Sequence, residues 1–361
     1  MKKIIFVIDS LEIGGAETYL IEMLKNKPSD LNIELITLYG GGILESEIPG
    51  DIKYRSLFKN SFNKKFILYR ILRKITIELI YKTKTFGSIF KLNNLNNTII
   101  IAFLENSACR LTSTISAKKI CWVHTDISKQ EKRFKHNIKT YNKFNKIIFV
   151  SNSARNNFIN FYNVNINSSV IYNCVDSINI NKKSNETTNV PLPVEFSVSI
   201  GRLCEAKDYP FMLTIFSKMK ELRIPFKHFI VGDGPDRNKI QRMISDLRMD
   251  NDVVLLGRLT NPFPILKKAK LLLMTSEWEG FGLVIMESLI LKTPVIATKI
   301  PAQQEIYGEF ENYHSMEKNL DEIIQKYISI KPYTSEQDDK KLNEFSPDIF
   351  WKKIKRLSRE I

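Results

Sequence analysis

The sequence predicts an α/β chain of two doubly wound parallel-sheet domains. Short β-branched runs, apolar without interruption, recur along the 361 residues and read as parallel strands buried on both faces. Segments with the period of amphipathic helices lie between them, so strand and helix alternate. Residues 177–195 are polar and Asn-rich, carry two prolines and interrupt the alternation, as an interdomain linker would.

In the first domain, 1–176, strands are expected at 3–8, 33–38, 98–103, 119–123, 147–150 and 169–172. In the second, 196–345, they are expected at 196–200, 227–231, 253–256, 271–274 and 294–297. Helical spacing falls between them at 16–26, 152–162, 209–222, 235–248 and 282–291. A closing helix is expected over 346–361, where Ser346 can cap, Pro347 suits the first turn, and Ile349, Phe350 and Ile354 share a face. It is expected to pack back on the first domain.

Hydrophobic residues make up 43% of the chain, a globular composition. The formal net charge of +15 points to an anionic partner: phosphate esters, nucleic acid or an acidic membrane surface. Cys109, Cys121, Cys174 and Cys204 form no CxxC pair, and they read as reduced structural residues. The opening apolar run stops at Asp9, too soon for a signal peptide, and no window has the length of a membrane span, so the cytoplasm is expected.

Four places carry candidate chemistry. In "SEWEGFGLVIMES", 276–288, a strand runs into a Gly-Phe-Gly turn and then a helix. Ligands of open parallel sheets bind beyond the carboxyl ends of strands, and free helix N-terminal amides attract phosphate. Gly280 and Gly282 allow close backbone approach. Glu279 and Glu287 can each accept hydrogen bonds from vicinal hydroxyls; as plain solvated acids they would need no ligand, but Glu287 lies in a mostly apolar helix. In "SIGRLCEAKDYP", 199–210, Arg202 and Lys207 follow a strand, a pair of cations suited to a diphosphate or two ordinary surface bases. Gly14 and Gly15 stand at a strand–helix junction but do not make the dinucleotide pattern GxGxxG. His124 follows a strand in "ICWVHTD". The "DND" at 250–252 spells a metal-binding triplet but precedes its strand, at the wrong end of the sheet, so no metal site is expected.

Taken together, "GGAE" at 14–17, His124, "GRLxxxK" at 201–207 and "EGFGLVIME" at 279–287 resemble the retaining glycosyltransferases of family 4, which have the GT-B fold. The stretches "VIYNCVD" at 170–176, "VGDGP" at 231–235 and "TPVIAT" at 293–298 add to the likeness. The resemblance implies two Rossmann-like domains facing a central cleft and metal-free sugar transfer with retention. Arg202 and Lys207 would hold the donor diphosphate; Gly282 and Leu283 would offer backbone contacts, and Gly15 would approach it from the other domain. Glu279, Gly280 and Phe281 would meet the donor sugar, Glu287 the ribose, and His124 would sit near the reacting carbon, with Glu279 and His124 in the catalytic group. One departure stands out. Where many relatives have Gly-Gly-Pro, this chain has Pro301, Ala302 and Gln303, which bears on donor identity.

Residues 59–84 hold eight Lys or Arg, and Leu68, Ile71, Leu72, Ile75 and Leu79 keep helical spacing. Two placements are open: the apolar face packs on the first sheet, or the helix lies on an anionic membrane with Lys64, Lys65, Arg70, Arg73 and Lys74 toward the lipid. The basic stretch at 129–143 favours the membrane. The expected partners are therefore a nucleotide-diphosphate sugar, UDP-linked on family frequency, a lipid-linked glycan acceptor and the inner face of the cytoplasmic membrane. No cofactor and no nucleic-acid partner is expected. The alternatives are a sugar-nucleotide epimerase on the same fold and, in a different class, a basic nucleic-acid-binding protein.

Overall fold

A computed structural model describes residues 3–12, 14–59, 67–93, 95–105, 107–129, 138–333 and 336–360, with the backbone alone at 67–70. The chain forms two compact units, one of Met1–Cys174 with Pro347–Ile361 and one of Val175–Ser346.

The first unit is built on a seven-stranded sheet, every neighbouring pair parallel. Its strands are β1 (Lys3–Ser10), β2 (Asn32–Tyr39), β3 (Lys53–Phe58), β4 (Thr98–Phe103), β5 (Lys118–Val123), β6 (Lys146–Phe149) and β7 (Ser168–Val170), in the order β3-β2-β1-β4-β5-β6-β7. The chain winds outward from β1 to β3, then returns to lay β4 on the other side of β1. Every residue of β4 is buried, which is why its "TIIIAF" shows no alternation.

The second unit repeats the plan with six strands. They are β8 (Ser197–Ile200), β9 (His228–Val231), β10 (Val253–Gly257), β11 (Leu271–Met274), β12 (Val295–Thr298) and β13 (Tyr313–Met316). Their order is β10-β9-β8-β11-β12-β13, again all parallel. Each sheet thus reverses direction once, between β1 and β4 and between β8 and β11. Such switch points open a crevice at the carboxyl edge of the sheet.

Two expectations change. β3 and β13 are additional strands; both lie at sheet edges and are only partly buried, so "KYRSLF" and "YHSM" lack an apolar run. Residues 177–195 are not simply a linker. Ser177–Ser184 is a helix of the second unit, capped by Asp176, whose carboxylate accepts the Asn179 N–H at 3.0 Å, and it buries Ile180. The closing helix, Pro347–Glu360, belongs with the first unit. There the Phe350 ring stacks on Trp122 at 5.7 Å and meets Tyr19 edge-on at 6.3 Å.

Candidate functional site

The switch point of the second sheet brings the two most chemically suggestive motifs together. The turn after β8 and the loop after β11 are stitched together by the Thr275 hydroxyl and one backbone amide. Thr275 Oγ1 donates to the carbonyls of Lys207 and Asp208 at 3.1 and 3.0 Å, and the Glu277 N–H donates to Ala206 O at 2.9 Å. Asp208 adopts a left-handed conformation, φ 42°, and its carboxylate accepts the Phe211 N–H at 3.2 Å, capping the helix Tyr209–Glu221. Lys318, beyond β13, pairs with the same carboxylate at 2.5 Å and with Glu277. A Cβ at Gly201 would stand 3.2 Å from Lys207 Cε, so glycine there leaves room for the lysine to lie across the strand end.

The result is an ion pair between residues 72 apart in sequence: Lys207 Nζ on Glu279 Oε1, with Ser276 Oγ donating to the same oxygen at 2.9 Å. Arg202 is exposed at the head of the same turn. Gly282 precedes the helix Leu283–Ile290 in a left-handed conformation, φ 83°, that L side chains rarely adopt. Its carbonyl accepts the Tyr307 hydroxyl at 3.2 Å. Burial first, then Tyr313, then the negative charges of Glu287 and Glu279 push the Tyr307 phenol well above its ordinary pKa, so both acids bear on one ring. Glu287 is partly exposed on that helix, as is Leu283, and Gly280 is buried. The Phe281 side chain is core, edge-on to Tyr307 at 5.9 Å and to Phe345 at 6.3 Å, so only its backbone can meet a ligand. Gln303 is buried, its Oε1 accepting from the Tyr313 hydroxyl at 3.3 Å, while its Nε2 has no hydrogen-bond partner among the described residues and lies 3.1 Å from where a Gly282 Cβ would be. Pro301 and Ala302 open the same helix, Pro301–Tyr307.

The switch point of the first sheet has the opposite character. Asp9, after the core of β1, accepts the N–H groups of Ser107 and Ala108 at 3.3 and 2.7 Å. Burial outweighs these bonds and raises its pKa to about 6. Glu105, just past β4, accepts the N–H groups of His124 and Thr125. Leu104 before it has φ 150°, a region almost reserved for glycine that costs on the order of 1–3 kcal/mol. The chain's own carboxylates thus fill the anion-attracting amides of this sheet, whereas the second sheet offers cations. His124 packs against Phe103, Trp122 and Tyr19 with ring centroids at 4.3, 5.6 and 6.2 Å. Burial drives its pKa down to about 3, so the imidazole is neutral. Gly15 begins the helix Gly15–Lys25, and a Cβ there would meet nothing within 4 Å.

The basic helix is Ile67–Thr83. Lys64 and Lys65 lie outside the described residues, and Arg70 is described by its backbone alone. Arg73 corrects its expected role. It is turned inward and buried, its guanidinium 5.4 Å from the Tyr39 ring and 5.7 Å from that of Phe58, where it faces no lipid. Ile77 and Ile80 join it on the sheet side. Ile71, Leu72, Ile75 and Leu79 point the other way and are about half exposed or more, at 48, 51, 58 and 59%, with Lys74 and Lys82 exposed beside them. The apolar stripe expected to face sheet or membrane is therefore not the face on the sheet. Among the described residues no helix is long and apolar enough to cross a membrane, and no cluster of three or more His, Cys, Asp or Glu could hold a metal ion.

Sequence reasoning missed Glu105, Asp9, Asp208, Lys318 and Tyr307. Their parts depend on backbone amides and distant side chains; the one signal was an acid directly after an apolar strand, as in "TIIIAFLE".

Comparison with known proteins shows what the chain resembles. The chain is 29% identical over 220 residues to an uncharacterized glycosyltransferase of Methanocaldococcus jannaschii, covering 56% of this chain and 53% of that protein. It is thus about half the length of that relative that it spans. It is 24% identical to the capsular polysaccharide biosynthesis glycosyltransferase CapH of Staphylococcus aureus over 99% of this chain and 98% of that one. Among solved structures it resembles S. aureus TarM, crystallised as a mutant with fondaparinux, alpha-GlcNAc-glycerol and UDP, with a TM-score of 0.76, 16% identity and coverage of 99% of this chain and 100% of that one. Residues 181–344 match the family described as glycosyl transferases group 1. Nearly the whole of the second unit therefore resembles that family, on a chain with the two-sheet GT-B fold.

Proposed function

We propose that the protein is a retaining glycosyltransferase of family 4 that moves a hexose or N-acetylhexosamine from a UDP-linked donor to a lipid-linked or growing surface glycan. The observation that carries this reading is the assembly of Arg202, Lys207, Glu279 and the Gly282 helix start at the switch point of a group 1 domain. The match to a transferase family favours neither the epimerase nor the nucleic-acid alternative. UDP is supported by its presence with TarM, and a surface glycan by the capsular role in the name of CapH.

The chemistry follows from charge. When the sugar leaves, negative charge grows on the nucleoside diphosphate. Arg202 supplies a fork of N–H donors, Lys207 a point charge and the Leu283 end of its helix free amides, so the leaving group is stabilised by this chain's own groups. Glu279 in the resting protein holds Lys207 in place; with donor bound, it accepts hydroxyls of the sugar, and Glu287 accepts those of the ribose. The acceptor hydroxyl attacks from the leaving-group side, and the departing phosphate takes its proton. No step uses a metal.

The helix Ile67–Thr83 supports a place on an anionic bilayer. Its outward apolar stripe is flanked by Lys74 and Lys82, which match acidic headgroups. A screen of nucleotide release over UDP- and GDP-sugars, with a polyprenyl-diphosphate-linked sugar as acceptor, tests the reading. Release from one UDP-sugar that depends on acceptor, with product anomeric configuration retained, is expected; no release from any donor refutes it.

A further inference from the structure

Glu105 is 1% exposed, on an edge where a carboxylate has no solvent to stabilise it. The ladder of β4 with β5 runs to Phe103↔Trp122 and then stops. The next amides of β5's exit, those of His124 and Thr125, have left the sheet. One oxygen, Glu105 Oε1, accepts both, the Thr125 bond at 3.0 Å. The unusual backbone at Leu104, φ 150°, turns the chain so that Glu105 folds over the end of β5 instead of running on into solvent. The imidazole that follows is held on three sides by Phe103, Trp122 and Tyr19, and its Nε2 is buried without a hydrogen-bond partner among the described residues. Rings alone fix the plane of the imidazole. They do not fix how far along the strand axis it is presented; the backbone does that.

We propose that Glu105 is a positioning residue for glycosyl transfer: by binding the amides of His124 and Thr125 it sets where the His124 imidazole is presented, without itself touching substrate. The proposal rests on the reading of His124 as the group near the reacting carbon. Burial raises the Glu105 carboxyl to about 7, against the amide bonds that lower it and with Glu17 on the neighbouring helix adding to the rise. A protonated acid still accepts through its carbonyl oxygen, so the role needs an acceptor rather than a charge.

The test compares full-length wild type, Glu105→Gln and Glu105→Ala. Amide hydrogen exchange at His124 and Thr125 is measured alongside kcat and KM for nucleotide release. In Glu105→Ala, protection at those two amides is expected to fall while β1 and β4 stay protected. Its kcat should drop on the order of a hundredfold, the scale of a misplaced reacting group, with KM for the nucleotide sugar unchanged because the diphosphate is held in the second unit. Glu105→Gln should restore both. Unchanged exchange at the two amides, an unchanged kcat in Glu105→Ala, exchange that rises evenly across the first unit, or a Gln variant as impaired as the Ala variant would each overturn the proposal. Should wild type release nucleotide from no donor, the glycosyltransferase reading falls and the catalytic role with it, whereas the exchange data still decide whether Glu105 holds the segment.

Discussion

Replacing Lys207 by Met should separate its two jobs. In the resting protein its ammonium neutralises Glu279, and the two side chains are only 20% and 14% exposed. Removing one partner of a fully buried pair costs about 3–5 kcal/mol, because the other charge is stranded. Here the residual exposure lets water reach both groups, and Ser276 still donates to Glu279. The cost is discounted accordingly to about 1–2 kcal/mol, between an exposed pair and a buried one. For a unit of this size that is a fall in Tm of roughly 2–8 °C. Glu279→Gln alone should cost a similar amount by stranding the lysine. The double variant strands neither charge and should recover most of the loss, a coupling of about 2–4 kcal/mol. Activity should behave otherwise. Losing a cation from a leaving phosphate costs about a hundredfold or more in kcat, and the double variant cannot recover it. Thermal melts of the four proteins give the first quantity, and nucleotide release gives the second. Additive losses of Tm would show that the pair does not form, and recovered activity in the double variant would show that Lys207 serves Glu279 and not the diphosphate.

Three further outcomes are expected. His228 is buried in the second core between Ser197 Oγ at 2.7 Å and Ser199 Oγ at 3.1 Å, and burial lowers its pKa to about 3. Its contribution is therefore complete above the unfolded value near 6.5 and is lost as pH falls from there toward 3, at up to about 1.4 kcal/mol per pH unit; urea melts at pH 7 and pH 5 should show a smaller loss for His228→Gln than for wild type. Gly282→Ala forces a side chain into φ 83° beside Gln303 and should cost about 1 kcal/mol while lowering nucleotide release more than stability, measured by melts and turnover. Changing Ile71, Leu72, Ile75 and Leu79 together to Ser should abolish flotation with anionic vesicles and leave the Tm within about 2 °C of wild type, since none of the four faces the core; retained flotation would remove the membrane from the account.

Much of the architecture could be read because parallel strands buried on both faces announce themselves. β4 is the clearest case, six buried residues with no polar interruption before its end. β3 and β13 escaped since an edge strand is half wet and loses that signature. The helix Ser177–Ser184 escaped since "SININKKS" is polar over most of its surface, and its cap, Asp176, was counted with the first domain. On the site side, Lys207 and Glu279 could each be placed at a strand end, and two strand ends adjacent at a switch point must meet. Arg73 could not be placed, because its burial depends on two rings from β2 and β3, a pairing that helical periodicity does not encode. Glu105 was hidden for a related reason: what it binds is backbone, and only its place after the apolar run of β4 marks it in the sequence.

The central claim is that fixed cations of the second unit hold a nucleoside diphosphate as it leaves. It is tested most directly by turnover of the preferred UDP-sugar, in the presence of a metal chelator, for wild type, Arg202→Met and Lys207→Met. The account predicts full wild-type release under chelation and a loss of roughly a hundredfold in each variant. Release that ceases with the chelator, or that survives both substitutions, would contradict it.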